Sequence, residues 1–347
     1  MRNHAVWFLV ALVAMMGTAQ SQEIMDLYSS IDSSDVTIKG DVAGDTLQMD
    51  LIFSGDVLQT RSMVLDGPGT WIVRWASFQA EKDSYDVCAS LLKNGTVISR
   101  KCYNFFYGGI EPIRFDVRDF RADSRGMHLS ISASDPTIVD IYYMLISGDK
   151  AVYVTEDQAV PITGSFATPV QKDYAWRQIL EDNREYTGRV KIVELNHNQT
   201  RAFMNSFLAR DDAMITETYQ DETGASATVV GNSRVPFEGS IRLVLSQNGT
   251  VLSTTEKRTP VLLTGDDETV EISWNKTLEP GIYQLRTILL GKGGDIKDLE
   301  ENIIEAEPII KTNATSTEKK SPLATAAAAA AMLTVALLMR RRGDRRR

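Results

Sequence analysis

Cys88 and Cys102 carry the most definite chemistry in this sequence. They flank an Asn94-Gly95 pair set between alternating apolar residues, the pattern of a tight β-hairpin. In a two-residue hairpin Cys88 would stand opposite Lys101, one residue out of register with Cys102. A three-residue loop centred on Gly95, or a β-bulge, brings the two sulfurs opposite each other. In an oxidising compartment such a pair closes, so a cross-strand disulfide is expected. A redox or metal pair would call for CxxC spacing or nearby ligands, and the sequence has neither.

Nothing else assembles into a reactive constellation. Beyond His4 the histidines are His128 and His197, and neither has a second histidine at ligand spacing. The HExxH, GxSxG, Walker and GxGxxG patterns are absent. Gly291-Lys-Gly-Gly294 reads as a hairpin turn, because no strand-to-helix switch follows it. The expectation is a non-enzymatic protein, with no catalytic, cofactor-binding or metal-ligating residue assigned. Acidic clusters at Asp211-Asp212, Asp221-Glu222 and Asp266-Asp267-Glu268 fall in loops. They match no EF-hand and read as solvated turns, with Ca²⁺ held between modules as the alternative. Trp71, Trp75, Tyr142, Tyr143 and Phe105-Phe106-Tyr107 alternate like core residues, with a sugar-stacking platform as the alternative. Five Asn-x-Ser/Thr sequons, at Asn94, Asn198, Asn248, Asn275 and Asn313, are candidate glycosylation sites.

The two ends set the expected location. Residues 1–19 have the form of a signal peptide: Arg2, an apolar run from Ala5 to Met16, then Gly17-Thr18-Ala19 as the cleavage site. Residues 311–321 (KTNATSTEKKS) read as a polar stalk. Residues 322–339 contain an uncharged run from Leu323 to Met339, roughly 26 Å as a helix, and read as a transmembrane helix. Residues 340–347 form a basic tail of six arginines and one aspartate. Arginine-rich flanks stay cytoplasmic, which places the body outside the cell. The Arg342-Gly343-Asp344 tripeptide lies in that cytoplasmic flank and reads as coincidence. The chain carries a formal net charge of −9, and the signal and tail hold its basic excess, which leaves the exported body distinctly acidic. Such a body disfavours nucleic acid as a partner.

The middle of the chain reads as short strands in series. Leu47, Met49, Leu51 and Phe53 alternate, as do Trp71, Val73 and Trp75. So do Val139, Ile141, Tyr143 and Leu145, and Ile241, Leu243 and Leu245. Turn signals such as Asn94-Gly95, Asn248-Gly249 and Pro280-Gly281 separate these runs. The class is all-β, of sandwich type. Leu180 followed by Tyr186, and Leu278 followed by Tyr283, each place a tyrosine at the opening of a strand after a polar turn. Leu65 followed by Trp71 has the same spacing with tryptophan in the aromatic place. This corner pattern resembles that of fibronectin-type-III and related immunoglobulin-like modules.

Three tandem sandwiches are expected: module 1 over 23–110, a fibronectin-III-like module 2 over 111–208, and an immunoglobulin-like module 3 over 209–310. The whole arrangement resembles the anchored cell-surface proteins of archaea. Many of those carry a Pro-Gly-Phe processing motif before the span. Here Ser321-Pro322-Leu323 stands in that place, so a retained helix is the expectation. The resemblance implies a single-pass membrane protein serving adhesion, envelope architecture or recognition, with a protein or glycan partner outside the cell. A ligand-binding accessory subunit, taking a sugar or an ion for a membrane complex, is the alternative.

Overall fold

A computed structural model describes residues 21–108, 114–165, 167–197 and 199–307. The expected signal peptide, stalk, membrane span and basic tail lie outside the described residues, as do Asn198 and Asn313. Among the described residues every regular element is a β-strand, and no helix is long and apolar enough to cross a membrane.

The strands fall into three sheet pairs of one plan. The first contains β1 (Glu23–Ser29), β2 (Ser33–Lys39), β3 (Thr46–Phe53), β4 (Asp56–Val64), β5 (Gly69–Arg74), β6 (Ser84–Lys93) and β7 (Thr96–Phe106). The second contains β8 (Phe115–Ala122), β9 (Gly126–Ala133), β10 (Thr137–Ser147), β11 (Lys150–Ile162), β12 (Val170–Ala175), β13 (Glu185–Glu194) and β14 (Gln199–Leu208). The third contains β15 (Ala213–Gln220), β16 (Gly224–Gly231), β17 (Ser240–Gln247), β18 (Thr250–Arg258), β19 (Asp267–Ser273), β20 (Gly281–Leu290) and β21 (Ile296–Ala306). In each, strands one, two and five make a three-stranded sheet, and strands four, three, six and seven, in that order, make a four-stranded one. All the pairings between named strands are antiparallel. The β5 edge meets the β11 edge at Trp71–Lys150, which joins the first three-stranded sheet to the second four-stranded one.

Period-two alternation builds one core per pair, because successive side chains point to opposite faces. Val36, Leu47, Met49, Leu51, Val73 and Val87 fill the first. Leu129, Ile131, Val139, Ile141, Tyr143 and Val190 fill the second. Val229, Phe237, Ile241, Leu243, Leu285 and Leu289 fill the third. Gly188 lets the second pair close: a Cβ there would lie 2.4 Å from the Ala122 Cβ on the opposing sheet.

A tyrosine opens the sixth strand of every pair. The Tyr85 hydroxyl accepts the Glu81 N–H at 2.9 Å and donates to the Glu81 carbonyl at 3.1 Å. The Tyr186 hydroxyl accepts the Glu181 N–H at 3.3 Å, and Leu180 is buried beside it in the second core. The Tyr283 hydroxyl donates to the Glu279 carbonyl at 2.8 Å, with Leu278 packed against the third core. The expected corner at Leu65 and Trp71 is corrected. Trp71 lies inside β5, paired with Val36 and Lys150, and its buried indole N–H has no hydrogen-bond partner. Leu65 is buried in the first core, its N–H bonded to the Asp45 carbonyl. The first pair's corner is made by Tyr85.

Candidate functional site

Among the described residues, the most highly charged buried site lies where the first pair meets the second. β2 presents Ser33 and Asp35 on its outer face, opposite the core residues Val36 and Ile38. β13 presents Arg189 and Lys191 between the inward-facing Val190 and Ile192. The two outer faces stack. Arg189, with no exposed surface, donates from Nη2 to Asp35 Oδ1 at 2.6 Å and from Nη1 to Ser33 Oγ at 2.6 Å. Lys191 Nζ reaches Asp35 Oδ2 at 2.8 Å and Asp26 Oδ2 at 3.1 Å. Burial alone would push the Lys191 ammonium towards neutrality, but Asp35 and Asp26 outweigh it and hold its pKa above the ordinary lysine value.

Apolar and aromatic groups close the junction. Ile72 packs with Met144 and Ile146, backed by Tyr142, Ala151 and Met204. Lys191 lies 5.8 Å from the Tyr28 ring centre and 5.3 Å from that of Tyr142. The Tyr28 hydroxyl donates to the Thr200 carbonyl at 3.3 Å, and burial pushes its pKa well above the usual tyrosine value. Arg74 bonds Thr187, and Lys150 pairs with Asp66 at the rim. Guanidinium and carboxylate without solvent are costly to separate, so this arrangement locks one sandwich on another.

A second polar site lies on the outer face of the β12-β9-β8 sheet. His128 Nδ1 and Asp173 Oδ1 are 2.7 Å apart beside the Arg121–Asp119 pair, in an open cleft of about 630 Å³ that Thr264 of the third pair borders. His197 instead sits over Glu194, whose buried carboxylate accepts Thr137 Oγ1 at 2.6 Å and the His197 N–H at 2.7 Å. Burial alone would raise the Glu194 pKa, but these hydrogen bonds outweigh it and hold the carboxyl below the ordinary glutamate value.

Cys88 and Cys102 are bonded. The Asn94-Gly95 turn has two residues, and a bulge between Leu91 and Leu92 brings Cys88 opposite Cys102. Asn94 and Asn248, with φ near 50°, stand exposed at two-residue hairpin tips, and Asn275 is exposed after β19. Asp211 pairs with Lys297 at 2.7 Å. Asp221 accepts the Thr223 N–H at 2.7 Å and the Gly224 N–H at 3.0 Å. Among the described residues no group of three or more histidines, cysteines or carboxylates is placed to hold a metal. Trp71, Trp75 and Tyr143 are buried, and Tyr142 lies in the junction, whereas Phe106 and Tyr107 are exposed. Gly291 and Gly294 form the turn between β20 and β21.

No protein-family model matches the sequence, and no curated protein matches it. Among solved structures the chain is similar to a tetra-tandem repeat in the extending region of a large adhesion protein, at 10% identity and TM-score 0.25, covering 83% of this chain and 75% of that one. It is also similar to trypsin-activated alpha-2-macroglobulin from Escherichia coli, at 11% identity and TM-score 0.22, covering 85% of this chain and 24% of that one. A third likeness is to red sea bream transglutaminase, at 7% identity and TM-score 0.25, covering 57% of this chain and 32% of that one. This chain thus spans well under half of the last two proteins. Their activities are not transferred to it.

Proposed function

We propose that this is a non-enzymatic, membrane-anchored surface protein whose tandem fibronectin-III-like sandwiches form a stiff array for adhesion, envelope architecture or recognition. The observation that carries the reading is the buried Arg189–Asp35 pair. A flexible string of modules has no need to desolvate a guanidinium between two of them; an array that must hold its loops at a fixed distance does. The signal-like start and the arginine-flanked apolar run near the end support outward display. The exposed Asn94 and Asn248 tips support glycan attachment on that display. The His128–Asp173 cleft favours the second reading, a ligand-binding accessory subunit.

Protease shaving of intact native cells, followed by mass spectrometry, tests display. Release of peptides from 21–307, a mature start after Ala19 and retention of residues 322–347 in the membrane are expected. Recovery of the protein in the cytosol with Met1 intact would overturn the reading.

A further inference from the structure

The outer face of the first three-stranded sheet is repeated, residue for residue at several positions, on the third. On β1, Asp26 and Tyr28 follow a bulge after Ile24; on β15, Glu217 and Tyr219 follow a bulge after Ile215. Asp26 stands opposite Thr37 and Glu217 opposite Thr228. Thr37 in turn faces Thr70 with their hydroxyls 3.0 Å apart, and Thr228 faces Thr269 at 2.9 Å. Tyr28 stands opposite Asp35, and Tyr219 opposite Ser226. In the first sandwich this face is the one seated on the second, so Tyr28 is 7% exposed. Among the described residues nothing covers the same face of the third sandwich, and Tyr219 is 64% exposed.

The receiving face is repeated as well. Counting three residues on from the corner tyrosine gives Arg189 after Tyr186 and Arg286 after Tyr283. Arg189 lies between Met144 and Met204 in register; Arg286 lies between Val244 and Glu301. The first is buried under the first sandwich. The second is open: Arg286 pairs with Glu301 at 2.6 Å with both side chains more than half exposed. Ile282 and Ile303, at 64% and 63%, stand exposed on the same face.

We propose that the third sandwich is a self-association module. The β15-β16-β19 face of one copy seats on the β18-β17-β20-β21 face of a second copy, repeating between molecules the packing that joins the first two sandwiches within one. The charges fit. The donor face carries Glu217 and Glu271; among the described residues neither carboxylate forms an ion pair, and Lys257 Nζ donates to the Glu271 carbonyl at 3.0 Å. The acceptor face carries Arg286 and Arg242, whose partners Glu301 and Glu256 are solvent-accessible. Tyr219 would take the place of Tyr28, and Ile282, Ile303 and Leu299 would cover the apolar ground. Donor and acceptor faces lie on opposite sides of one sandwich. The contact is therefore heterologous, leaves a free face at each end, and builds open head-to-tail chains instead of closed dimers.

Sedimentation velocity of the full-length protein in detergent, over a concentration series, tests this. A ladder of species lengthening with concentration is expected. Tyr219→Ser on the donor face and Ile303→Asp on the acceptor face should each lower the apparent association constant about 30-fold, as loss of a central anchor does. An equimolar mixture of the two variants should form two-chain species and nothing longer, since each then offers one intact face. That recovery also shows that both variants are folded. A wild-type protein that stays monomeric throughout overturns the proposal, whether or not it retains some other protein. So does a closed wild-type dimer, a variant that assembles like wild type, or a mixture that stays monomeric while the wild type assembles.

Discussion

Replacing Asp35 by alanine is the sharpest perturbation of the junction. Asp35 accepts from Arg189 at 2.6 Å and Lys191 at 2.8 Å and is 1% exposed. Lys191 keeps Asp26, whose side chain is largely in solvent. Arg189 keeps Ser33 alone and is left as a buried cation without a counter-charge. Removing one partner of such a pair costs about 3–5 kcal/mol. Hydrogen exchange with mass spectrometry of the full-length protein reads this locally. Peptides from β2 and β13 should lose roughly two to four orders of magnitude of protection, while peptides from β17 and β20 keep theirs. Asp35→Leu with Arg189→Met removes both charges and should return β2 and β13 to within about 1 kcal/mol of wild type. Unchanged protection in Asp35→Ala, or a double variant as open as the single one, would refute the reasoning.

Loss of the disulfide in Cys88→Ser with Cys102→Ser should destabilise the first sandwich by about 3 kcal/mol, from the loop the bond closes, measured by denaturant unfolding under oxidising conditions. Tyr85→Phe should cost about 1 kcal/mol in the same assay, since the hydroxyl bonds the Glu81 backbone in both directions; no measurable loss would remove Tyr85 as the corner. Glu194 has a folded pKa below its unfolded value, so its contribution is present above the unfolded pKa and is lost as pH falls through the folded one. Acid titration followed by hydrogen exchange should therefore open the turn after β13 below the ordinary glutamate range, and Glu194→Gln should abolish that pH step. Asn94→Gln and Asn248→Gln should each reduce the mass of the native-host protein by one glycan, with unchanged unfolding, because both side chains are exposed at hairpin tips.

Much of the sheet architecture is legible in the sequence because burial on one face leaves a period of two. The runs at Leu47, Val139 and Ile241 turn their apolar residues inward for that reason. The one-residue mismatch between Cys88 and Cys102 likewise announces either a three-residue loop or a bulge, and the structure takes the bulge. The Trp71 corner misleads because a leucine followed by an aromatic after a polar turn also describes entry into β5. The true corner at Tyr85 follows Ala80, so the leucine cue is missing. The junction is harder to see. Arg189 and Lys191 alternate with Val190 and Ile192, which reads as the solvent face of an ordinary strand. What buries them is a different sandwich, more than 150 residues away in sequence. A signal exists in the IYYMLI run of β10, which is apolar on both faces where a half-solvated strand would be polar on one. The run of Tyr28, Tyr142, Met144 and Met204 on outward-facing positions completes that signal.

The central claim is that the first two sandwiches are held as one stiff unit. Pulsed electron–electron double resonance between spin labels at Val64 and Leu208, both exposed on different sandwiches, measures it most directly. A single narrow distance distribution in the otherwise wild-type protein, broadening on Asp35→Ala, is the predicted result. A broad distribution already present with Asp35 and Arg189 intact would contradict it.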